Sequence, residues 1–187
     1  MQTWKNVLAA LGLPIAVGVG IYTGVLLGAV PARPFWNTPM VAQLFLFSAL
    51  STGTALTMLA APRIAPAEDV EEDRRLLLSA DVIFILLELF IIIPYVIHGE
   101  LSALAVRESL GLILGGPLTL TFWLGVVLLG LLVPLTVEAL ELVPTLTREL
   151  PLPAHRYLDV AIGLLVLMGG FLLRYVFVRG GQLSEFV

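Results

Sequence analysis

The sequence predicts an all-α, polytopic membrane bundle of about five helices. Composition is the first reason: 59% of the 187 residues are hydrophobic and only 13% are charged. A soluble domain averages about half apolar and about a quarter charged. The second is run length. A helix rises roughly 1.5 Å per residue, so a hydrocarbon core roughly 30 Å thick needs about 20 apolar residues, and five segments qualify. The third is the lack of alternation along those segments, which argues against barrel strands.

The first span is placed at residues 6–30, behind Lys5. Its apolar run is too long for a cleaved leader and no small-x-small site follows, so it is expected to remain as a membrane helix. Gly20, Gly24 and Gly28 recur every four residues and line one face. Such a face lets a neighbouring helix approach closely. Pro31, Pro34 and Pro39 separate this helix from the second, at residues 40–61. Ser48, Ser51, Thr52, Gly53 and Thr54 give the second helix a small, polar packing surface, with hydroxyl bonds between helices expected.

After Pro62, Pro66 and the acidic stretch from Glu68 to Asp73 comes the third span, residues 76–98. The segment from Glu100 to Gly116 is too short and too polar to cross. Leu101, Leu104 and Ala105 share a face there, with Arg107 and Glu108 away from it, so a short interfacial helix within 100–116 is expected. The fourth span, residues 118–143, lies between Pro117 and Pro144, and the fifth, residues 157–178, follows Pro151 and Pro153. Proline at these points ends one helix or begins the next. Trp4, Trp36 and Trp123 fall near helix ends, where indole rings prefer to sit.

Basic residues set the orientation. Lys5, Arg63, Arg74, Arg75, Arg148 and Arg156 collect at one side, against Arg33, Arg107 and Arg179 at the other. The side richer in Lys and Arg is expected to be cytoplasmic. The N-terminus is then cytoplasmic and the C-terminus periplasmic.

Composition also limits the chemistry. There is no cysteine, which removes disulfides, thiolate zinc sites and an iron–sulfur cluster ligated by this chain. The two histidines, His98 and His155, lie in separate segments near helix ends, so a haem held between them at mid-membrane is not supported. No metal is expected in this chain. The net charge of −4 is concentrated in one stretch and gives no reading of nucleic acid.

The third helix is the most informative. Asp81, Glu88 and Tyr95 recur every seven residues, so they stack on one face about 10 Å apart. Glu88 falls near mid-membrane, where an ionisable group costs at least about 3 kcal/mol unless it is paired or protonated. That makes it a functional candidate, with a structural ion pair or a neutral, hydrogen-bonded carboxyl as the alternative. Asp81 lies nearer the cytoplasmic end and could merely reach the interface. Arg174 sits about 25 Å along the fifth helix. It either snorkels outward or faces the bundle and meets Glu88 or a ligand carbonyl. Fifteen residues separate it from Asp159, too far for the two to pair. Glu138 and Glu141 are expected to be solvated at the inner end of the fourth helix.

Several stretches carry a family resemblance. Gly20-Ile-Tyr-Thr-Gly-Val-Leu-Leu-Gly28, Ala32-Arg-Pro-Phe-Trp-Asn37 and Leu44-Phe-Leu-Phe-Ser-Ala-Leu-Ser-Thr-Gly53 resemble the NrfD/polysulfide-reductase membrane-subunit family. So do Asp81 with Glu88, the run Trp123 to Gly130, and Gly169 to Val178 ending in Gly181-Gln182. The resemblance implies a membrane subunit without haem in a prokaryotic inner membrane. Such a subunit exchanges electrons between a quinone pool, menaquinone or ubiquinone, and a ferredoxin-like iron–sulfur subunit. A molybdopterin or similar catalytic subunit is implied beyond that. Tyr22 matches a tyrosine lining the quinone pocket at the outer face, and Arg33, Trp36 and Asn37 lie in the loop beside it. Asp81, Glu88 and Arg174 become the ionisable groups of the bundle. From their positions on one face, Asp81 and Glu88 are further expected to conduct protons between the cytoplasm and the bundle centre. Typical members have further helices ahead of the matched part, so a second membrane chain is an expected partner besides lipid.

Two other functions remain open at this level. A small secondary transporter could use Glu88 and Arg174, although no internal repeat or pair of broken helices supports it. A purely structural anchor would hold the iron–sulfur subunit without touching quinone.

Overall fold

The computed structural model describes residues 2–64, 70–148 and 156–184. Among them are α1 (Gln2–Gly28), α2 (Met40–Ile64), α3 (Val70–Glu100), α4 (Leu104–Leu114), α5 (Val133–Arg148) and α6 (Arg156–Leu183). A π-helical stretch, Thr121–Leu132, runs directly into α5. Five helices are long and apolar enough to cross a membrane: Asn6–Gly28, Met40–Ala60, Asp73–Glu100, Thr121–Thr145 and Tyr157–Leu183. The expected all-α bundle of five spans is therefore present.

The helices outrun several of the expected boundaries. α3 and α6 gain one or more turns, because their polar ends extend beyond the apolar run that marks a hydrocarbon span. Pro144 does not end the fourth span but lies inside α5, and α2 continues past Pro62 to Ile64. Proline removes one N–H donor and frees one carbonyl, a loss that packed neighbours can absorb in a membrane helix. Pro14 and Pro94 are likewise internal to α1 and α3.

α2 occupies the middle of the bundle, in contact with α1, α3 and α6, while α6 also packs on the π-helical stretch. The small residues set these distances. A Cβ at Gly24 would stand 2.5 Å from Ala42 Cα, and one at Gly130 would stand 2.5 Å from Gly169 Cα. The glycine face of α1 thus meets α2 as its spacing predicts. The rest of α1 is exposed: only 11% of its span is buried.

One end of the core is aromatic. Phe35, Phe45, Tyr95 and Phe177 are all buried. The Tyr95 and Phe177 ring centroids are 5.3 Å apart, and Phe35 meets Phe177 at 5.4 Å. Ile85, Phe122, Val126 and Leu173 continue the core along the bundle. α4 lies across the same end and packs through Ser109, Leu110 and Ile113. Leu101 and Leu104, expected to share a face, are exposed. The apolar surface of α4 is therefore divided, with one side on the protein and another left for lipid. Trp123 on the π-helical stretch donates to the Ile113 carbonyl at 2.9 Å and so ties α4 down.

Candidate functional site

The loop between α1 and α2 is held by side chains that reach far along the sequence. Arg33 donates to the carbonyls of Gln182, at 3.3 Å, and Ser184, at 3.0 Å. The Trp36 indole N–H donates to the Phe177 carbonyl at 2.6 Å, and the Tyr95 hydroxyl donates to the Phe35 carbonyl at 3.0 Å. Arg33, Trp36 and Tyr95 are thus engaged in fixing this loop to α3 and to the end of α6. Its tip keeps an accessible amide, Asn37, at the edge of a small cleft. Pro34, Thr38, Tyr95, His98 and Ser109 share that cleft. Tyr22 stands apart from this group, 60% exposed on α1.

Inside the bundle the structure decides between the two readings of Arg174. It is half-buried and points inward: its Nη1 donates to the Gly170 carbonyl at 2.9 Å and to Ser48 Oγ at 3.4 Å. Its guanidinium also lies 5.7 Å from the centroid of the Phe45 ring, within cation–π range. Glu88 is 2% exposed, with Asp81 and Arg174 as its charged neighbours. Glu88 and Arg174 influence each other without forming an ion pair within 4 Å. Asp81 does not reach the interface; it is fully buried.

The expectation for Glu138 and Glu141 is corrected. Neither is solvated: they are 4% and 9% exposed. They lie three residues apart in α5 and so share a face. That spacing was the available signal, but distance from the centre of the run pointed the other way. Glu141 accepts from Arg74 of α3 at 2.9 Å, and the same Nη2 reaches Asp159 of α6 at 2.9 Å. One guanidinium therefore joins three helices. Glu138 lies one turn further in, where its carboxyl and the buried carboxyl of Asp81 are close enough to interact.

The α2 hydroxyls also behave differently from expectation. Thr52 donates to the Ser48 carbonyl at 2.7 Å, Thr54 to the Ser51 carbonyl at 2.7 Å and Thr57 to the Gly53 carbonyl at 2.8 Å. These bonds stay within α2, as short hydroxyl side chains on helices commonly do. The Ser48 hydroxyl meets another helix, through Arg174.

Polar side chains therefore fall into two groups. Asp81, Glu88, Glu138, Glu141, Arg74, Asp159 and Arg174 form a column through the bundle interior. Arg33, Trp36 and Asn37 gather at the Tyr95 end, and Tyr22 faces outward from α1. The column holds titratable groups in the bundle interior, and the Tyr95 end has hydrogen-bonding groups at the edge of a small cleft. Among the described residues there is no group of three or more His, Cys, Asp or Glu arranged to hold a metal ion.

Comparison with known proteins gives this geometry a family context. A family model described as polysulphide reductase, NrfD, matches residues 2–185. Protein NrfD of Escherichia coli (strain K12) is 32% identical over 183 residues, covering 95% of this chain and 53% of the relative. A polysulfide reductase chain of Wolinella succinogenes is 32% identical over 128 residues, covering 66% of this chain and 39% of the relative. A selenate reductase subunit of Mesobacillus selenatarsenatis is 28% identical over 140 residues, covering 71% and 32%. The chain thus spans about half the length, or less, of these curated relatives. No solved structure matches it.

Proposed function

Since the chain belongs to the polysulphide reductase, NrfD family, we propose that it is a quinone-interacting membrane subunit of a respiratory oxidoreductase. In this reading it passes electrons between a menaquinone or ubiquinone pool and a ferredoxin-like iron–sulfur subunit. A molybdopterin or similar subunit completes the chemistry. The observation that carries the reading is the set of buried Asp81 and Glu88 with inward-pointing, half-buried Arg174, in a chain whose residues 2–185 the family model matches.

Quinol oxidation breaks two O–H bonds and releases two electrons and two protons. The electrons leave to the iron–sulfur partner, which is consistent with a sequence that has no cysteine of its own to hold a cluster. The ring approaches from lipid, where Tyr22 is exposed. Tyr22 and the Asn37 amide supply hydrogen bonds to the ring oxygens. Arg33 and Trp36 serve this region by fixing the loop through their bonds to backbone carbonyls near the end of α6. Asp81 and Glu88 form a proton path between the cytoplasm and the bundle centre, beside Arg174. The Arg74 end of the bundle is then cytoplasmic and the Tyr95 end periplasmic. The exposed face of α1 is open to lipid or to helices of a second membrane chain.

The test is quinol oxidation by the complex purified with its partners, read as reduction of the iron–sulfur subunit. Reduction should require this chain and quinol together. Equal reduction by quinol without the chain would overturn the proposal, and so would a purified complex that lacks a cluster-bearing partner.

A further inference from the structure

A costly arrangement lies on α3, between its contacts with α2 and with α5. Asp81 is fully buried and Glu138 is 4% exposed. Their carboxyls are close enough to interact, and the Ser51 and Thr54 side chains lie beside Asp81. Among the described residues neither oxygen of either carboxyl has a hydrogen-bond partner, and buried Ser51 Oγ has none either. The Thr54 hydroxyl already donates to the Ser51 carbonyl. Two buried, facing carboxylates without donors would repel each other and forgo their hydration. A single proton resolves both problems, because one carboxyl then donates to the other.

The surroundings give this pair a direction. Towards one end stand Glu141, Asp159 and Arg74, the last bonded to both carboxylates. Glu141 is one turn from Glu138, and Arg74 is seven residues, about 10 Å, from Asp81. Towards the other stand Glu88, again about 10 Å along α3, and Arg174. Asp159 and Glu141 both act electrostatically on Glu138, and Asp81 acts on Glu88. The partly exposed end of the column is Asp159, at 37%. The pair therefore lies between a solvent-accessible ion cluster and the mid-membrane carboxyl.

We propose that Asp81 and Glu138 form a shared-proton site that loads from the Arg74–Glu141–Asp159 end and delivers to Glu88. The purpose of the site rests on the quinol reading above; its existence does not. Each transfer breaks one O–H bond as another forms, and no electron moves. The gap to Glu88 is about 10 Å along α3 and exceeds a hydrogen bond, so that transfer requires water to enter between the two carboxyls. A proton fits better than a metal cation, since among the described residues no group of three or more His, Cys, Asp or Glu is arranged to hold a metal ion.

Infrared difference spectroscopy of the purified complex, in H2O and in D2O, tests the pair directly. The expected result is a protonated-carboxyl band that shifts on deuteration and is altered by both Asp81→Asn and Glu138→Gln. Ser51→Ala, a milder change, should shift the same band and keeps the test available if a carboxyl variant fails to assemble. A band untouched by these substitutions overturns the proposal, as does a band that responds to sodium rather than to deuteration. In proteoliposomes with an entrapped pH dye, proton movement from the Arg74 end should be lost in Glu138→Gln, and retained movement overturns the delivery step. If wild-type complex oxidises no quinol, the functional reading fails, but the infrared result still decides the pair.

Discussion

Replacing Arg74 by Met removes the cation that joins α3, α5 and α6 while keeping a long apolar stem. Two hydrogen bonds disappear, each 2.9 Å long. The bond to Glu141 is the more valuable, because the two side chains are only 16% and 9% exposed. A fully buried pair broken on one side costs about 3–5 kcal/mol, since a buried charge is left behind. Asp159 is 37% exposed, so its share falls towards the surface value of about 0.2–1 kcal/mol. Residual water access at this end lowers the first figure, and the expected total is about 2–4 kcal/mol. The molecule supplies its own control. Arg107 and Glu100 pair at 3.2 Å with 63% and 41% exposure, so Arg107→Met should cost no more than about 0.5 kcal/mol. The assay is reversible denaturation in mixed micelles, followed by circular dichroism, on wild type and both variants. A double-mutant cycle with Glu141→Gln should recover part of the Arg74→Met loss, because a neutral amide no longer needs the cation. Equal losses for Arg74→Met and Arg107→Met would refute the reasoning, and so would a cycle without coupling.

Other expectations are more direct. Glu88→Gln keeps the side-chain volume but carries no proton, so it should slow quinol-linked turnover of the assembled complex. Normal turnover with normal assembly would reduce Glu88 to a structural residue. Gly130→Leu forces side-chain atoms into the Gly169 backbone, where a Cβ alone would approach to 2.5 Å. Overpacking of this kind costs about 1–3 kcal/mol or more and should lower the midpoint in the same micelle assay, whereas Gly12→Leu, with nothing within 4 Å, should leave it unchanged. Reporter fusions after Pro66 and Arg148 should read cytoplasmic, and fusions after Arg107 and Val187 periplasmic. The inverse pattern would move the proposed quinone region to the other side of the membrane.

Composition and run length alone established the solvent, the fold class and the number of spans. They suffice because a bilayer leaves the backbone few alternatives to a helix. The glycine face of α1 was legible for a similar local reason: spacing of four residues places Gly20, Gly24 and Gly28 on one side, whatever they meet. Glu88 was legible as a candidate from depth alone.

Which polar residues share an interior emerged only once the helices were packed. Arg174 could snorkel or turn inward, and the difference is whether α2 offers acceptors to it, as Ser48 does. Glu138 sits near a span end, and linear position says nothing about which neighbours surround it. The π-helical stretch before α5 has wider turns than an α-helix, so it changes the phase at which Glu138 and Glu141 emerge. Arg74, at the edge of an acidic stretch, reads as an orientation signal until α5 and α6 bring two carboxylates to it. Burial and pairing are properties of several helices at once, so a pattern read along one helix fixes a face but not what that face meets.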